Sequence, residues 1–596
     1  MGNAGESDIR RVGRSLEEFR SALAIMFPKI DQTAPVPVTV MVFKNDESFA
    51  PYKPLLEGKP ANVVAFFQRG EDINYIAVPP TGELPNVVLH EYVHLMLRDN
   101  VGSLPLWITE GLAECYSTFG IGGKQNEFTV GRAPERHLAT LMDPAQFLPL
   151  KKLLAVQQNS PEYNEQSKQG IFYAESWAVV HYLILGPDNK RRTQFTQLLT
   201  ALTRGDPFDE SFSEAFQTDY GTIEDEVRGY IRKRTSWPTM KLTPKENLQV
   251  DARSASTTTL SDGDTEFYLG DLLLHLNRLS DAETHLATAA SKSPSNSGAQ
   301  TSLAILRVRQ KKYDEALALL KKAVDADSKN PMVNFYYAYA MDQADADAVA
   351  VVNSLPAERY EIMHSYVKKS IDLAPRFIEG YALLARVNLN AGEHLDESET
   401  ALKKALSLAP GREDIRMLLA QTYLRAERTA DGRTVLSEIE HVTTDPGMRR
   451  RATALLDQTE QTTTFTEIAP AVEKDLAVEP ANALQTPPPP GPASPKETIL
   501  EALTPIGPNV EGEKVSGLLV NLDCSNGLTL RVRTDKGTLD LHSAQPDKIQ
   551  FLSYTSSVTD NVKCGPRNPG IPVTITYQTQ TGGPPEPLVV EFQEKK

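Results

Sequence analysis

Residues 86–114 read NVVLHEYVHLMLRDNVGSLPLWITEGLAE, two helix-like stretches parted by a short break. From Asn86 to Arg98 apolar residues recur at three- and four-residue intervals, the mark of one buried helix face, and the same period returns from Trp107 to Phe119. Gly102 to Pro105 parts the two, since glycine and proline between periodic segments break a helix. In the first helix His90 and His94 stand four apart, on one face and one turn from each other, so both imidazoles can reach a single ion. Glu91 is rotated by about 100° from His90, beside such an ion and within reach of a bound water, but not as a ligand. A third ligand is needed, and the second helix offers two carboxylates, Glu110 and Glu114.

Upstream, Val12, Leu16, Phe19, Leu23 and Met26 mark an amphipathic helix over Ile9 to Phe27. Val38 to Phe43, Asn62 to Phe67 and Asn74 to Val78 are rich in β-branched and aromatic residues and read as strands. Helical periodicity resumes at Phe172 to Leu185 and at Thr222 to Arg234, and Pro238 marks the end of the unit. An α+β domain over residues 1–240 is expected, with a linker over 241–262.

The pairing of His90-Glu91-Tyr92-Val93-His94 with Pro105-Leu106-Trp107-Ile108-Thr109-Glu110-Gly111-Leu112-Ala113-Glu114 resembles the gluzincin metallopeptidases, and more specifically the bacterial peptidase MA-like group. The resemblance covers roughly residues 1 to 240. It implies one Zn2+ per chain held by His90, His94 and Glu110, with Glu91 as general base and Glu114 accepting the free N–H of a ligating imidazole. It assigns to Tyr173, in Tyr173-Ala174-Glu175-Ser176-Trp177, the stabilisation of the oxyanion formed during peptide hydrolysis, although Tyr163 and Tyr182 lie near in sequence. One of the strands between Asn62 and Val78 becomes the edge along which an extended peptide lies. The glycine-rich G-x-M-E-N stretch of the aminopeptidases is absent, so the resemblance is to endopeptidase-type enzymes.

The middle of the chain repeats itself. Gly270, Ala282, Leu286, Ala289 and Pro294 are followed 34 residues later by Ala304, Ala316, Leu320 and Ala323, and Ser370 with Pro375, then Ala405 with Pro410, continue at a spacing of 35. These positions resemble the tetratricopeptide repeat. Four to five helix pairs over residues 263–460 then stack into an all-α solenoid with a concave groove for a protein partner. An insertion near 342–357 falls within the third repeat, a weaker fifth pair runs from Ile415 to about Ile439, and Arg449 to Gln458 caps the stack.

Residues 461–510 hold few large apolar side chains and include Thr486 to Pro490, a composition that favours an extended linker. Beyond it Val515–Asn521, Leu528–Arg533, Thr538–His542, Lys548–Tyr554, Val573–Tyr577 and Pro587–Phe592 read as six short strands. A small all-β barrel or sandwich over 511–596 is expected, in which Cys524 and Cys564 form either a disulfide or two separate buried thiols. The fold class is therefore multidomain: an α+β metallopeptidase-like domain, the solenoid and the β domain.

Lys+Arg of 62 against Asp+Glu of 78 gives a formal charge of -16 over 596 residues, which repels phosphate backbones and argues against nucleic acid as a partner. No apolar run approaches the roughly 18 residues needed to span a bilayer. Of the remaining side chains with chemistry, His181 and Cys115 read as packed, and Phe335, Tyr336, Tyr337 and Tyr339 as inter-repeat packing rather than a peptide groove. The expected function is zinc-dependent hydrolysis of a protein or peptide substrate recruited by the repeats. The alternative is an adaptor whose metal-binding domain is catalytically idle. As written the chain carries no export signal and reads as cytoplasmic; a longer start would make it exported or periplasmic.

Overall fold

The computed structural model describes residues 1–27, 36–56, 58–80, 84–121, 128–143, 147–157, 160–164, 166–186, 189–232, 237–242, 256–348, 356–467, 512–525, 527–546, 549–553, 564–579 and 583–592. The amphipathic helix of the N-terminus runs over Glu6–Met26 and buries Val12, Leu16, Phe19, Leu23 and Met26. It packs beside a three-stranded sheet of order β1-β5-β4, made of β1 (Val38–Val42), β4 (Phe66–Gln68) and β5 (Asn74–Val78), with a two-residue hairpin β2 (Leu55–Leu56) and β3 (Lys59–Pro60) before β4. β1 and β5 are parallel and β4 is antiparallel to β5. The strand expected over Asn62 to Phe67 is shorter and later, because residues 61–65 pair with no strand.

Below the sheet lie the helices Asn86–Asn100, Leu106–Tyr116 and Gln166–Leu185, the histidine, glutamate and tyrosine helices. Trp107, Tyr116, Phe172 and Trp177 are fully buried among them and form the centre of a continuous apolar core. Two helices beyond the expected ones, Asn189–Arg204 and Phe208–Phe216, close the unit together with Tyr220–Arg232.

The solenoid consists of five helix pairs among the described residues, from Asp262–His275 with Leu279–Lys292 to Glu413–Arg425 with Thr429–Val442, capped by Pro446–Glu467. Part of the expected insertion lengthens the helix Pro331–Ala348 to 18 residues, and residues 349–355 lie outside the described ones. The same holds for 243–255 of the first linker and for 468–511, most of the proline-rich one.

The solenoid wraps the N-terminal unit and touches it near its start, near its far end, and at Gly205, which follows the helix Asn189–Arg204 and lies against His441 and Val442. Near its start, Leu272 completes an apolar cluster with Met41, Phe43, Phe49, Phe66 and Tyr75. There Tyr75 donates to buried Asp271, His275 Nε2 lies 3.0 Å from Asp72 Oδ1, and Arg278 Nη1 donates to the carbonyls of Pro51 and Lys53 at 2.5 and 3.0 Å. Near its far end the N–H of Gly411 donates to the carbonyl of Asp99, at the end of the histidine helix, at 3.0 Å.

All six C-terminal strands form: β9 (Glu513–Asp523), β10 (Leu528–Thr534), β11 (Gly537–Ser543), β12 (Gln550–Ser553), β13 (Gly565–Gln578) and β14 (Glu586–Phe592). They do not close into the expected barrel or sandwich. They build one open sheet, β11-β10-β9-β13-β14-β12, which continues into β8 (Met240–Leu242), β7 (Phe128–Val130) and β6 (Gly120–Ile121) of the N-terminal unit. The physical reason is an open edge. β12 pairs parallel to β14 on one side, leaving its other row of N–H and C=O groups to be satisfied, and β8 supplies the pairing at Lys241 and Ser553. Val589 of β14 is buried in the core of the N-terminal unit while its neighbour Val590 serves the C-terminal cluster, as the alternation of a strand requires. Cys524 and Cys564 are joined as a disulfide at the end of the β9–β13 pair, with Cα atoms 5.8 Å apart.

Candidate metal centre

Leu89, Val93, Met96 and Leu97 anchor the histidine helix in the core, which turns His90 and His94 toward the glutamate helix. The glutamate helix can approach because of Gly111. A β-carbon there would stand 2.4 Å from Val180 Cγ2 and 2.5 Å from the carbonyl of Ser176, inside van der Waals contact, so only glycine permits this packing on the tyrosine helix. The glycine of the E-G dipeptide thus sets the depth of the glutamate before it.

His90, His94 and Glu110 come together. The two Nε2 atoms are 2.9 Å apart and each lies 3.2 Å from Glu110 Oε2, a nearly equilateral triangle of donors. Zinc with bonds of about 2.0–2.1 Å in tetrahedral geometry places its ligands about 3.3 Å apart, so the triangle fits one such ion with a fourth position left open. Among the described residues this is the one group of three or more His, Cys, Asp or Glu side chains with that convergence. The side chains are 12%, 26% and 5% exposed in that order, so the site has one open side, on His94, and Glu91 beside it is exposed.

Burial works against charge on Glu110, but hydrogen bonds from His90 and His94 outweigh it and pull the carboxyl down to about 2. Burial likewise disfavours a charged His94, and the carboxylates of Glu110, Glu91 and Glu114 reverse the balance and raise it. The second oxygen of Glu110 accepts from the hydroxyl of Tyr163 at 3.3 Å, which leaves Oε2 as the atom offered to a metal.

Glu114 lies one turn behind Glu110, its Oε1 3.6 Å from His90 Nδ1. That position favours the tautomer with the proton on Nδ1 and the lone pair on Nε2. Two residues not singled out in the sequence hold Glu114 in turn: Arg136 Nη2 at 2.6 and 2.8 Å, and buried His137, whose Nε2 is 2.9 Å from Oε2. Arg136 and His137 sit on the short helix Glu135–Leu141, whose place beside the site no local periodicity encodes.

Tyr173 is half-buried, its ring 6.5 Å from that of His90 and 6.1 Å from that of Tyr163. Burial and Glu110 raise its phenol well above the ordinary tyrosine value. Tyr182 is directed elsewhere, donating to Glu226 at 2.8 Å. His181 is fully buried between the carbonyl of Gly131 and the hydroxyl of Tyr230, and burial depresses it to about 4. Cys115 is a buried free thiol pushed up to about 12. Phe335 and Tyr336 are buried within the solenoid.

Residues 267–331 and 389–456 match profiles of the tetratricopeptide repeat. The helix pairs are tetratricopeptide repeats. Residues 86–209, which carry the His-His-Glu triangle and Tyr173, match a family described as a protein of unknown function, DUF1570. No curated protein matches the chain. Similar solved structures include YrrB, described as a TPR protein with an unusual peptide-binding site (18% identity over 32% of this chain and 92% of that one, TM-score 0.26). TTC0263, a thermophilic TPR protein of Thermus thermophilus, is 23% identical over 33% and 98%, TM-score 0.28, and a MamA protein 16% identical over 37% and 98%, TM-score 0.25. Tetratricopeptide repeats are protein-interaction modules, and no described helix is long and apolar enough to cross a membrane.

Proposed function

We propose that the chain is a zinc-dependent peptide-bond hydrolase of endopeptidase type, with His90, His94 and Glu110 as ligands. The observation that carries this reading is the donor triangle with an exposed carboxylate, Glu91, one residue from its first histidine. When bound, zinc supplies Lewis acidity that polarises a carbonyl and acidifies a water.

The chain's own groups do the rest. Glu91 takes the proton of the attacking water and later delivers it to the leaving nitrogen, which its exposed place on the histidine helix permits. Tyr173, whose raised pKa keeps it protonated, donates to the developing oxyanion, while the hydroxyl of Tyr163 stays on Glu110 Oε1. Glu114 holds the His90 tautomer. Among the described residues β4 pairs only on its β5 side, which leaves an open edge for an extended substrate. The disulfide fits an exported protein.

The second reading is an adaptor whose metal-binding unit is idle. It draws on the repeats and on the extent of the N-terminal unit's contact with them. The deciding experiment measures zinc in the purified protein and profiles cleavage of a proteome-derived peptide library by wild type and Glu91→Gln. Stoichiometric zinc with cleavage lost in the variant is expected; zinc without any cleavage favours the adaptor, and no zinc removes both metal readings.

A further inference from the structure

His90, His94 and Arg98 are each four residues apart and share one face of the histidine helix. Arg98 lies about 6 Å along the axis beyond His94 and lines a cavity of about 980 Å³ between the N-terminal unit and the concave face of the solenoid. The near wall is Arg69 to Asp72, the residues that follow the open edge strand β4. Gly70 makes that approach possible, since a β-carbon would stand 2.7 Å from the ring of His275. The far wall is built by successive repeats, through Arg309, Arg386 and Arg412.

In a chain of net charge -16, six arginines line this one cavity: Arg69, Arg98, Arg309, Arg386, Arg412 and Arg451. Some are neutralised. Arg412 pairs with Glu379 and Asp414 at 2.7 Å, Arg386 with Asp342 at 2.8 Å, and Arg98 with Asp99 at 3.7 Å. Asp72 is taken up by His275. Arg69, Arg309 and Arg451 pair with no carboxylate among the described residues; Arg309 Nη1 donates only to the carbonyl of Leu274. Glu71 is the remaining lining carboxylate and adds one negative charge to the near wall. Among the lining side chains six arginines thus stand against four carboxylates, Glu71, Asp72, Glu379 and Asp414, an excess of positive charge carried by the exposed Arg69, Arg309 and Arg451, whose guanidinium groups can each hold a carboxylate through two parallel hydrogen bonds.

We propose that this cavity is a second contact site for the substrate and selects polypeptides carrying a cluster of Asp and Glu a few residues from the scissile bond, a proposal that rests on peptide hydrolysis at the His-His-Glu triangle. A strand added along β4 leaves its edge at Gln68 and meets Arg69 next, so its continuation enters the cavity and sets its carboxylates against Arg69, Arg309 and Arg451.

The test separates binding from turnover. Full-length zinc-loaded protein is titrated into a fluorescein-labelled peptide with six consecutive glutamates, followed by anisotropy, in the Glu91→Gln background and in wild type. Binding that weakens steeply with salt, that falls at least tenfold in Arg309→Glu and in Arg451→Glu, and that a hexalysine peptide does not reproduce is the expected result. Arg451 is exposed, so its variant keeps the fold, which a melting curve and the zinc content verify. Equal binding of both peptides, or affinity unchanged in both variants, overturns the proposal. Hexaglutamate bound as expected by a protein that cleaves nothing supports the acidic site and removes the hydrolase reading. Cleavage of neutral peptides without preference for acidic ones keeps the hydrolase and overturns the acidic site.

Discussion

Gly111 lies against the tyrosine helix so closely that a β-carbon on it would meet Val180 Cγ2 at 2.4 Å. The residue before it, Glu110, supplies the carboxylate of the donor triangle, so the contact that packs two helices also positions a ligand. Gly111→Ala forces the glutamate helix outward. Overpacking of this kind costs about 2 kcal/mol, and the expected outcome is a lower melting temperature together with weakened zinc affinity. Thermal denaturation and a competitive zinc titration check both; an unchanged affinity at lowered stability would show that the contact is structural only.

Glu114 touches His90 without reaching the metal position, which sets a different expectation. Partners of ligating histidines are worth about 10–100-fold in metal affinity. Glu114→Gln is expected to lose that much zinc affinity, while Glu110→Gln, which removes a ligand, loses more. Arg136→Ala, which frees Glu114 from its exposed guanidinium partner, falls between wild type and Glu114→Gln. Equal affinities in wild type and Glu114→Gln would remove Glu114 from the site.

Asp99 ends the histidine helix where it meets Gly411, and its carboxyl is raised from 3.8 to about 6, chiefly by burial, against the pull of Arg412 and Arg69. An acid with a raised folded pKa binds its proton more tightly in the native state, so stability is highest below about pH 4 for this group and is lost as pH rises through about 6. The loss is of the order of 3 kcal/mol and is complete above about pH 6. Asp99→Asn stays neutral throughout and is expected to be more stable than wild type at about pH 7 and similar to it at about pH 4. Urea denaturation at the two pH values measures the difference; equal gains at both would place the effect in packing rather than in charge.

The triangle was legible because each of its parts is local. Two histidines four apart share a helix face by helical geometry, while the choice of Glu110 on the next helix rests on the resemblance of its E-G dipeptide to that of the metallopeptidases. Arg136 and His137 were not legible, and Tyr163 only as a sequence neighbour of Tyr173 with no contact to Glu110 foreseen, since all three reach the site from short helices placed only by tertiary packing. The solenoid was legible from a period of 34 or 35 residues. Its embrace of the N-terminal unit through Asp271, His275 and Gly411 was not, because those residues satisfy the repeat pattern equally well in an open stack. The six C-terminal strands follow from their alternation and turn residues. The pairing of β12 with β8 joins segments far apart in the chain, Lys241 with Ser553, and no local period encodes it.

The disulfide between Cys524 and Cys564 encloses a loop with a sequence separation of 40. Within it lie β10, β11 and β12, so the bond constrains most of the C-terminal sheet in the unfolded chain. Closing a loop of that length is worth about 4 kcal/mol on the chain-entropy account. Because β14 also contributes Val589 to the N-terminal core, loosening the sheet reaches beyond the C-terminal unit. Cys524→Ser, or reduction with dithiothreitol, is therefore expected to lower the melting temperature of the C-terminal sheet and to raise hydrogen exchange in β14 and β8 as well. Exchange that rises only between β9 and β12, with β8 unchanged, would mean that the continuous sheet does not transmit the constraint.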